Sequence, residues 1–310
     1  MSNFIELGKK IYDLKNPREA HRFAVFIARC CLHPQKIQRL EKFFAQSEIF
    51  KEISTTFPFF FEQVTRAFFY NRSTIEERIK IVEEHVEFLA STTNESFLRK
   101  IYAGEKIPLW KIPLDETLGE MILSICIEPG QRKEGLISVM LRLSSGVPIY
   151  QIIFWIARDN FIDGDENFAM WIGAMQGPNV DDAREIIKRI TKKCHAYRTK
   201  NLILYAAQAV ARSLGLKKIF SITNAGYYAN NHIRRDRKLK TSFGDFWAEC
   251  GGTLTSDERF FSLPLTEQRK TFDEIPTHKR AVYRRRFSLL DELDATVSEK
   301  LLEFKKDVEK

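Results

Sequence analysis

The feature that most constrains this chain is a change of hydrophobic period near residue 104. Upstream, apolar residues recur at the three- and four-residue steps that line one face of a helix. Phe23, Phe26, Ile27 and Cys30 form one such stripe. Ahead of it, Asn16-Pro17-Arg18-Glu19 supplies a cap, a first-turn proline and an acidic third position, which together start a helix. Pro34 stops that run. Ile37, Leu40 and Phe44 make a second stripe, and Ser73-Thr74-Ile75-Glu76 opens a third with Ile79, Val82, Val86 and Leu89. The aromatic stretch 57–61 reads as core between these helices, with a membrane-touching loop as the alternative.

Downstream the period becomes two. Residues 118–127 read as a strand. Residues 136–143 alternate, with Ile137, Val139, Leu141 and Leu143 on one face and Ser138, Met140 and Arg142 on the other, which predicts a half-buried strand. Residues 149–157 are nearly all apolar, as in a central strand, and 168–174 form another. Two helices follow. One carries the stripe Ala183, Ile186, Ile187, Ile190 and Cys194; the other, 202–214, has a single charge, Arg212, and Gly215 as its stop. Residues 218–223 return to strand, and 289–309 form a charged, peripheral closing helix. The expected fold is α+β: a helical region over 1–103, then a mixed sheet flanked by helices over 104–310.

With 44% hydrophobic and 29% charged residues, the chain has the make-up of a globular protein rather than a disordered one. The 25 phenylalanines point to aromatic-rich cores. Lysine and arginine number 49 against 41 acids, a net charge of +8, which favours anionic partners. The excess is clustered in 181–200, 232–240 and 279–286. Five cysteines, an odd number without Cys-x-x-Cys spacing, read as reduced thiols. Neither a leader nor a membrane-spanning stretch is evident, so a cytoplasmic protein, at most peripheral at the inner membrane, is expected.

The P-loop, Gly-x-Gly-x-x-Gly, His-Glu-x-x-His and Gly-x-Ser-x-Gly patterns are all missing from the sequence. The basic clusters come without a helix-turn-helix, zinc-finger or RNP-type motif, so nucleic acid is not the expected partner. A strand ending at Ala174-Met175-Gln176-Gly177, a basic helix start at Arg198-Thr199-Lys200-Asn201, and a strand ending at Thr223-Asn224 resemble the GNAT acyltransferase order over roughly residues 105–265. In that architecture a thioester lies between two splayed strands with its pyrophosphate at a helix start, where backbone N–H groups face outward. This chain has His195-Ala196-Tyr197 where GNAT proteins carry glycines, and an extra helix before it.

A second resemblance rests on Gly173-Ala174-Met175-Gln176-Gly177-Pro178, on His195 to Lys200, on Asp245-Phe246-Trp247 with Glu249 and Gly251-Gly252, and on Lys279 to Arg286. These are similar to the VirK/YbjX family (DUF535) of Gram-negative bacteria, which implies a link with virulence, envelope properties and resistance to cationic antimicrobial peptides. The combined expectation is an acyl- or aminoacyltransferase taking a phosphate-bearing, CoA-thioester-like donor as substrate, with no further cofactor required. Met175, Gln176 and Gly177 would pair with the donor's amides. Arg198, Lys200 and Asn201 would hold its phosphates, with Asn224 orienting it. Tyr228, His232 or Glu249 would move protons, Glu249 from a short strand shared with Trp247.

Each residue also has a plainer reading. Tyr228 reads first as packing and His195 as a helix end rather than a base, while Asn224 reads also as a turn cap and His232 as a loop residue. The rival function is a non-catalytic adaptor on an anionic membrane surface, using the arginines of 279–286.

Overall fold

The computed structural model describes residues 4–159, 162, 164–231 and 243–306. Among them, helices come first: α1 (Phe4–Ile11), α2 (Pro17–Leu32), α3 (Pro34–Phe44), α4 (Glu48–Thr56), α5 (Phe59–Thr65), α6 (Ile75–Thr92) and α7 (Glu95–Tyr102). Then come β1 (Ile107–Pro113), β2 (Glu120–Cys126), β3 (Ile137–Leu143), β4 (Pro148–Asp159) and β5 (Asp165–Gln176). They are followed by α8 (Ala183–Lys193), α9 (Thr199–Ser213), β6 (Lys218–Ile222), α10 (Phe243–Glu249), β7 (Thr253–Leu254), β8 (Phe260–Leu263) and α11 (Arg280–Leu302). The strands form one sheet in the order β1-β2-β3-β4-β5-β6-β8-β7, antiparallel except where β5 pairs with β6. The fold is α+β, helices first and then a mixed sheet.

Local chemistry explains many of the boundaries. The Asn16 side chain accepts from the Arg18 N–H at the start of α2. Thr74 and Glu77 close a reciprocal capping box at the start of α6. Gly215, at φ +77°, ends α9 in the left-handed conformation that glycine tolerates best. The aromatic stretch is core: Phe57, Phe60 and Phe61 are buried against Phe44 and Tyr102, so they offer no membrane anchor. In the sheet, Trp155 and Trp171 stack in parallel, and the Trp171 indole donates to the Ala157 carbonyl.

Four expectations need correction. β3 is buried on both faces, Ser138 and Met140 included, because the sheet is covered on both sides and α6 and α9 both pack on β4. The closing helix is not peripheral. It starts at Arg280, buries Leu289, Leu290, Leu293, Val297 and Leu301, and packs on α9 and β1. The segment with Trp247 and Glu249 is the helix α10, not a strand. Finally, β1 precedes the strands read from the sequence; Pro108 and Pro113 mask it, and both are tolerated because it is an edge strand.

The helical region is joined to the sheet by side chains that finish a ladder. β3 stops pairing with β4 at Ile137–Phe154, yet β4 runs on to Asp159. Beyond that point the Ile156 N–H donates to His85 Nδ1 at 3.0 Å, and the Arg158 N–H donates to Glu84 Oε2 at 2.8 Å. Helix α6 thus supplies the acceptors that a neighbouring strand would. His85 is fully buried, and burial pushes its pKa down to about 3, so it stays neutral. Among the described residues no helix is long and apolar enough to cross a membrane.

Candidate functional site

The site starts where two parallel strands part. β5 and β6 pair from Ala169–Lys218 to Ile172–Ser221. β5 then continues to Gln176, still paired on its other side through Met175–Ile152 and Gln176–Gln151. β6 stops at Ile222, and the chain turns away: the Thr223 hydroxyl donates to the Glu258 carbonyl and accepts from the Gly226 N–H. Among the described residues, the β6-facing edge of Gly173–Gln176 has no strand beside it. Both strands run the same way, so their C-terminal ends lie together at this opening, the usual place for ligands in parallel sheets.

The end of β5 leads to the start of α9. Gly177 lies against the Tyr150 ring, where a Cβ would come within 3.1 Å of a ring carbon. Burial raises the Tyr150 phenol, and the nearby Arg198 charge offsets that rise only in part. Arg198 caps α9 without a side-chain hydrogen bond to the helix. Its guanidinium and the Lys200 ammonium both hold Glu249, at 2.9 and 3.4 Å. Asn201 donates to Cys250 Sγ at 3.9 Å, and its buried Oδ1 is unpartnered. Asn201, Glu249 and Cys250 border a cavity of about 350 Å³ between α9, α10 and 264–268, which Tyr197, Gln208 and Glu267 also line. A larger groove of about 600 Å³ runs between α3 and α6, away from this place, and its Arg39 is tied to Glu76 and Glu83.

Of the candidate proton carriers, Glu249 and Tyr228 lie among the described residues. Glu249 sits at the end of α10, and the Arg198 hydrogen bond, followed by the Lys200 charge, holds its carboxyl below the usual range. It lines the cavity as an ion-paired anion. Tyr228 is buried edge-on to Phe68 and packs on Tyr227. Asn224 Oδ1 accepts from the Phe243 N–H, which caps α10. His232 lies outside the described residues. His195 follows α8 at φ +53°, and both its carbonyl and that of Ala196 accept from Arg286. Its imidazole is pushed down by burial and then by Arg285, Arg286 and Lys193. Arg286 is therefore committed to a turn, and Arg280 to the Ile275 carbonyl, rather than to a free basic face.

A carboxyl that the sequence did not single out lies buried beside these strand ends, bonded to the end of β5 and to the turn after β6. Glu134 is 4% exposed in the loop before β3. Tyr227 donates to its Oε1 and Gln176 Nε2 to its Oε2, each at 2.9 Å, while Gln131 donates to Gln176 Oε1. Burial is the main cause that lifts its pKa to about 7; Tyr227, the Lys133 charge and Gln176 pull the other way. The loop also presses on β5: a Cβ at Gly173 would stand 1.8 Å from the Glu134 carbonyl oxygen.

The helical region holds both sides of this group. From α5, Gln63 donates to the Arg132 and Gly135 carbonyls, and buried Glu62 accepts from Arg132 Nε at 2.6 Å. The Phe69 N–H donates to the Lys133 carbonyl. On the opposite side, Tyr70 bridges Tyr227 through the backbone, and Asn71 donates to the Ala225 and Gly226 carbonyls. Glu134 carries no motif in the sequence. Its one local signal is Gly135 directly ahead of an apolar strand.

Comparison with known proteins places the chain. An uncharacterized protein of Haemophilus influenzae is 25% identical over 297 residues, spanning 95% of this chain and 94% of that one. The uncharacterized protein YbjX of Escherichia coli is 32% identical over 161 residues, 51% of this chain and 47% of that protein. Membrane protein LapB of Mannheimia haemolytica is 25% identical over 217 residues, 69% of this chain and 85% of its own length. Among solved structures, a variant of a cAMP-binding acyltransferase from Mycobacterium smegmatis aligns at 10% identity with a TM-score of 0.27, covering 72% of this chain and 61% of that one. The model of DUF535, a protein family of unknown function, matches residues 15–299, and this chain belongs to that family.

Proposed function

We propose that this protein transfers an acyl or aminoacyl group from a phosphate-bearing thioester to an amine or hydroxyl acceptor. The observation that carries the reading is the unpaired edge of β5 at Gly173–Gln176, open beside the diverging end of β6 and next to the basic start of α9. Backbone amides of a pantetheine-like arm would add to that edge as a short strand, with Met175, Gln176 and Gly177 facing it. Arg198, Lys200 and the first N–H groups of α9, including that of Asn201, would take the phosphates, displacing the Glu249 carboxylate. Asn224 would act on the donor only through the end of α10 that it caps. The chemistry is that of a cytoplasmic protein acting on envelope material, at or near the inner membrane. Thermal denaturation with acetyl-CoA and longer acyl-CoAs tests it. A thioester at about 100 times its dissociation constant adds about 2.7 kcal/mol. No stabilisation by any acyl-CoA would rule the donor out.

A further inference from the structure

We propose that Glu134 is the proton acceptor of this site, and that the hydrogen bond on its Oε2, now donated by Gln176, marks where the acceptor's N–H or O–H binds. The assignment rests on the group-transfer reading above. Three features of the geometry carry it. Glu134 stands where β5 and β6 part. Its two oxygens have different partners: Tyr227 on Oε1 is part of a turn pinned by Tyr70 and Asn71, whereas Gln176 on Oε2 is a half-buried side chain at a strand end, held in turn, among the described residues, only by the Gln131 side chain. And its loop is anchored at three backbone carbonyls, those of Arg132, Lys133 and Gly135. A carboxyl held this firmly, with one fixed partner and one displaceable one, is arranged to exchange a proton with an incoming group.

The charged and titratable groups around it are few. Lys133 belongs to its own loop, Tyr227 comes from the turn after β6 with Tyr228 against it, and β5 offers only the neutral Gln176. The step follows directly. As the acceptor's lone pair adds to the thioester carbonyl carbon, its proton passes to Glu134 and the carbonyl π pair moves to oxygen. The tetrahedral adduct re-forms the carbonyl and expels the C–S bonding pair on sulfur. The thiolate then takes the proton back from Glu134, leaving the acylated acceptor, a free thiol and an ionised carboxylate.

The experiment has two arms. In the first, protein labelled in its glutamate carboxyls is titrated by NMR. One carboxyl titrates near neutral pH, is missing in Glu134→Gln, and moves to higher pH in Tyr227→Phe because a hydrogen bond to the charged form is lost. In the second, thiol release from acetyl-CoA is followed with ethanolamine as acceptor. Glu134→Gln keeps the stabilisation by acetyl-CoA but loses release by about 100-fold or more, and Tyr227→Phe moves the acid limb upward. The assignment is overturned if no glutamate titrates above about pH 6, or if release is the same in wild type and Glu134→Gln. Absence of any acyl-CoA binding by the wild type overturns the group-transfer reading instead, and the titration still decides whether Glu134 holds the proton.

Discussion

Glu249 and Glu134 are the same side chain in two opposite settings. Glu249 lies on the surface at the end of α10, between Arg198 and Lys200, and is held as an anion. Glu134 lies under the turn after β6, among neutral hydrogen-bond donors, with its pKa lifted to about 7. Pairing with cations lowers a carboxyl's pKa and removes it from proton transfer at neutral pH; burial among neutral groups raises it into the useful range. Environment, not residue type, assigns the roles. Under the proposed reading, the surface carboxylate occupies the place of a phosphate and the buried one carries a proton.

The change expected to break this contrast most severely is Gly173→Ala. The new Cβ would meet the Glu134 carbonyl at 1.8 Å and the Trp155 ring at 2.8 Å, so the loop must leave the sheet. Overpacking of this kind costs about 3 kcal/mol. Urea denaturation should show that loss, and the carboxyl that titrates near neutral pH should return to the ordinary range. A stable protein with an unchanged titration would mean that the loop is not held against β5.

A second buried group sharpens the comparison by running the other way with pH. His85→Leu removes the acceptor of the Ile156 N–H and should cost about 2 kcal/mol. Wild-type His85 has its pKa depressed from 6.5 to about 3, so its contribution is present above pH 6.5 and is lost as the pH falls toward 3. For Glu134, raised from 4.5 to about 7, the contribution is full below pH 4.5 and is lost as the pH rises through 7. Stability measured across this range should therefore lose its acid-side fall in His85→Leu and its neutral-side fall in Glu134→Gln. Identical pH profiles in all three proteins would contradict both placements.

The smallest expected effect on stability belongs to Glu249→Gln, because its ion pairs are exposed. The denaturation midpoint should stay where it is. Calorimetry with inorganic pyrophosphate should show several-fold tighter binding, since Arg198 and Lys200 lose their competing anion. Weaker binding in the variant would show that Glu249 orders those cations instead of blocking them.

Much of the fold was legible in the chain. The change of period, the Asn16 cap, the Thr74 start of α6, the four strands corresponding to β2–β5 and the Gly215 stop rest on local rules, and the structure contains each of them. Elements that depend on distant partners were less legible. β1 is a strand because β2 pairs with it, despite two prolines. The segment of Trp247 is a helix whose buried indole donates to the Ile222 carbonyl at the end of β6.

The same division holds for the site. Sequence by itself determined the order of helices and strands, the strand end at Met175 to Gly177, and the basic start of α9, since hydrophobic period, caps and charge act over a few neighbouring residues. Tertiary structure alone decided that Glu249 would meet Arg198 and Lys200, that Glu134 would meet Tyr227 and Gln176, and that its loop would be anchored by α5. Those partners lie some 40 to 90 residues apart in the chain. Burial and hydrogen bonding across such spans depend on how layers pack, and no short stretch of sequence records which carboxyl they will enclose.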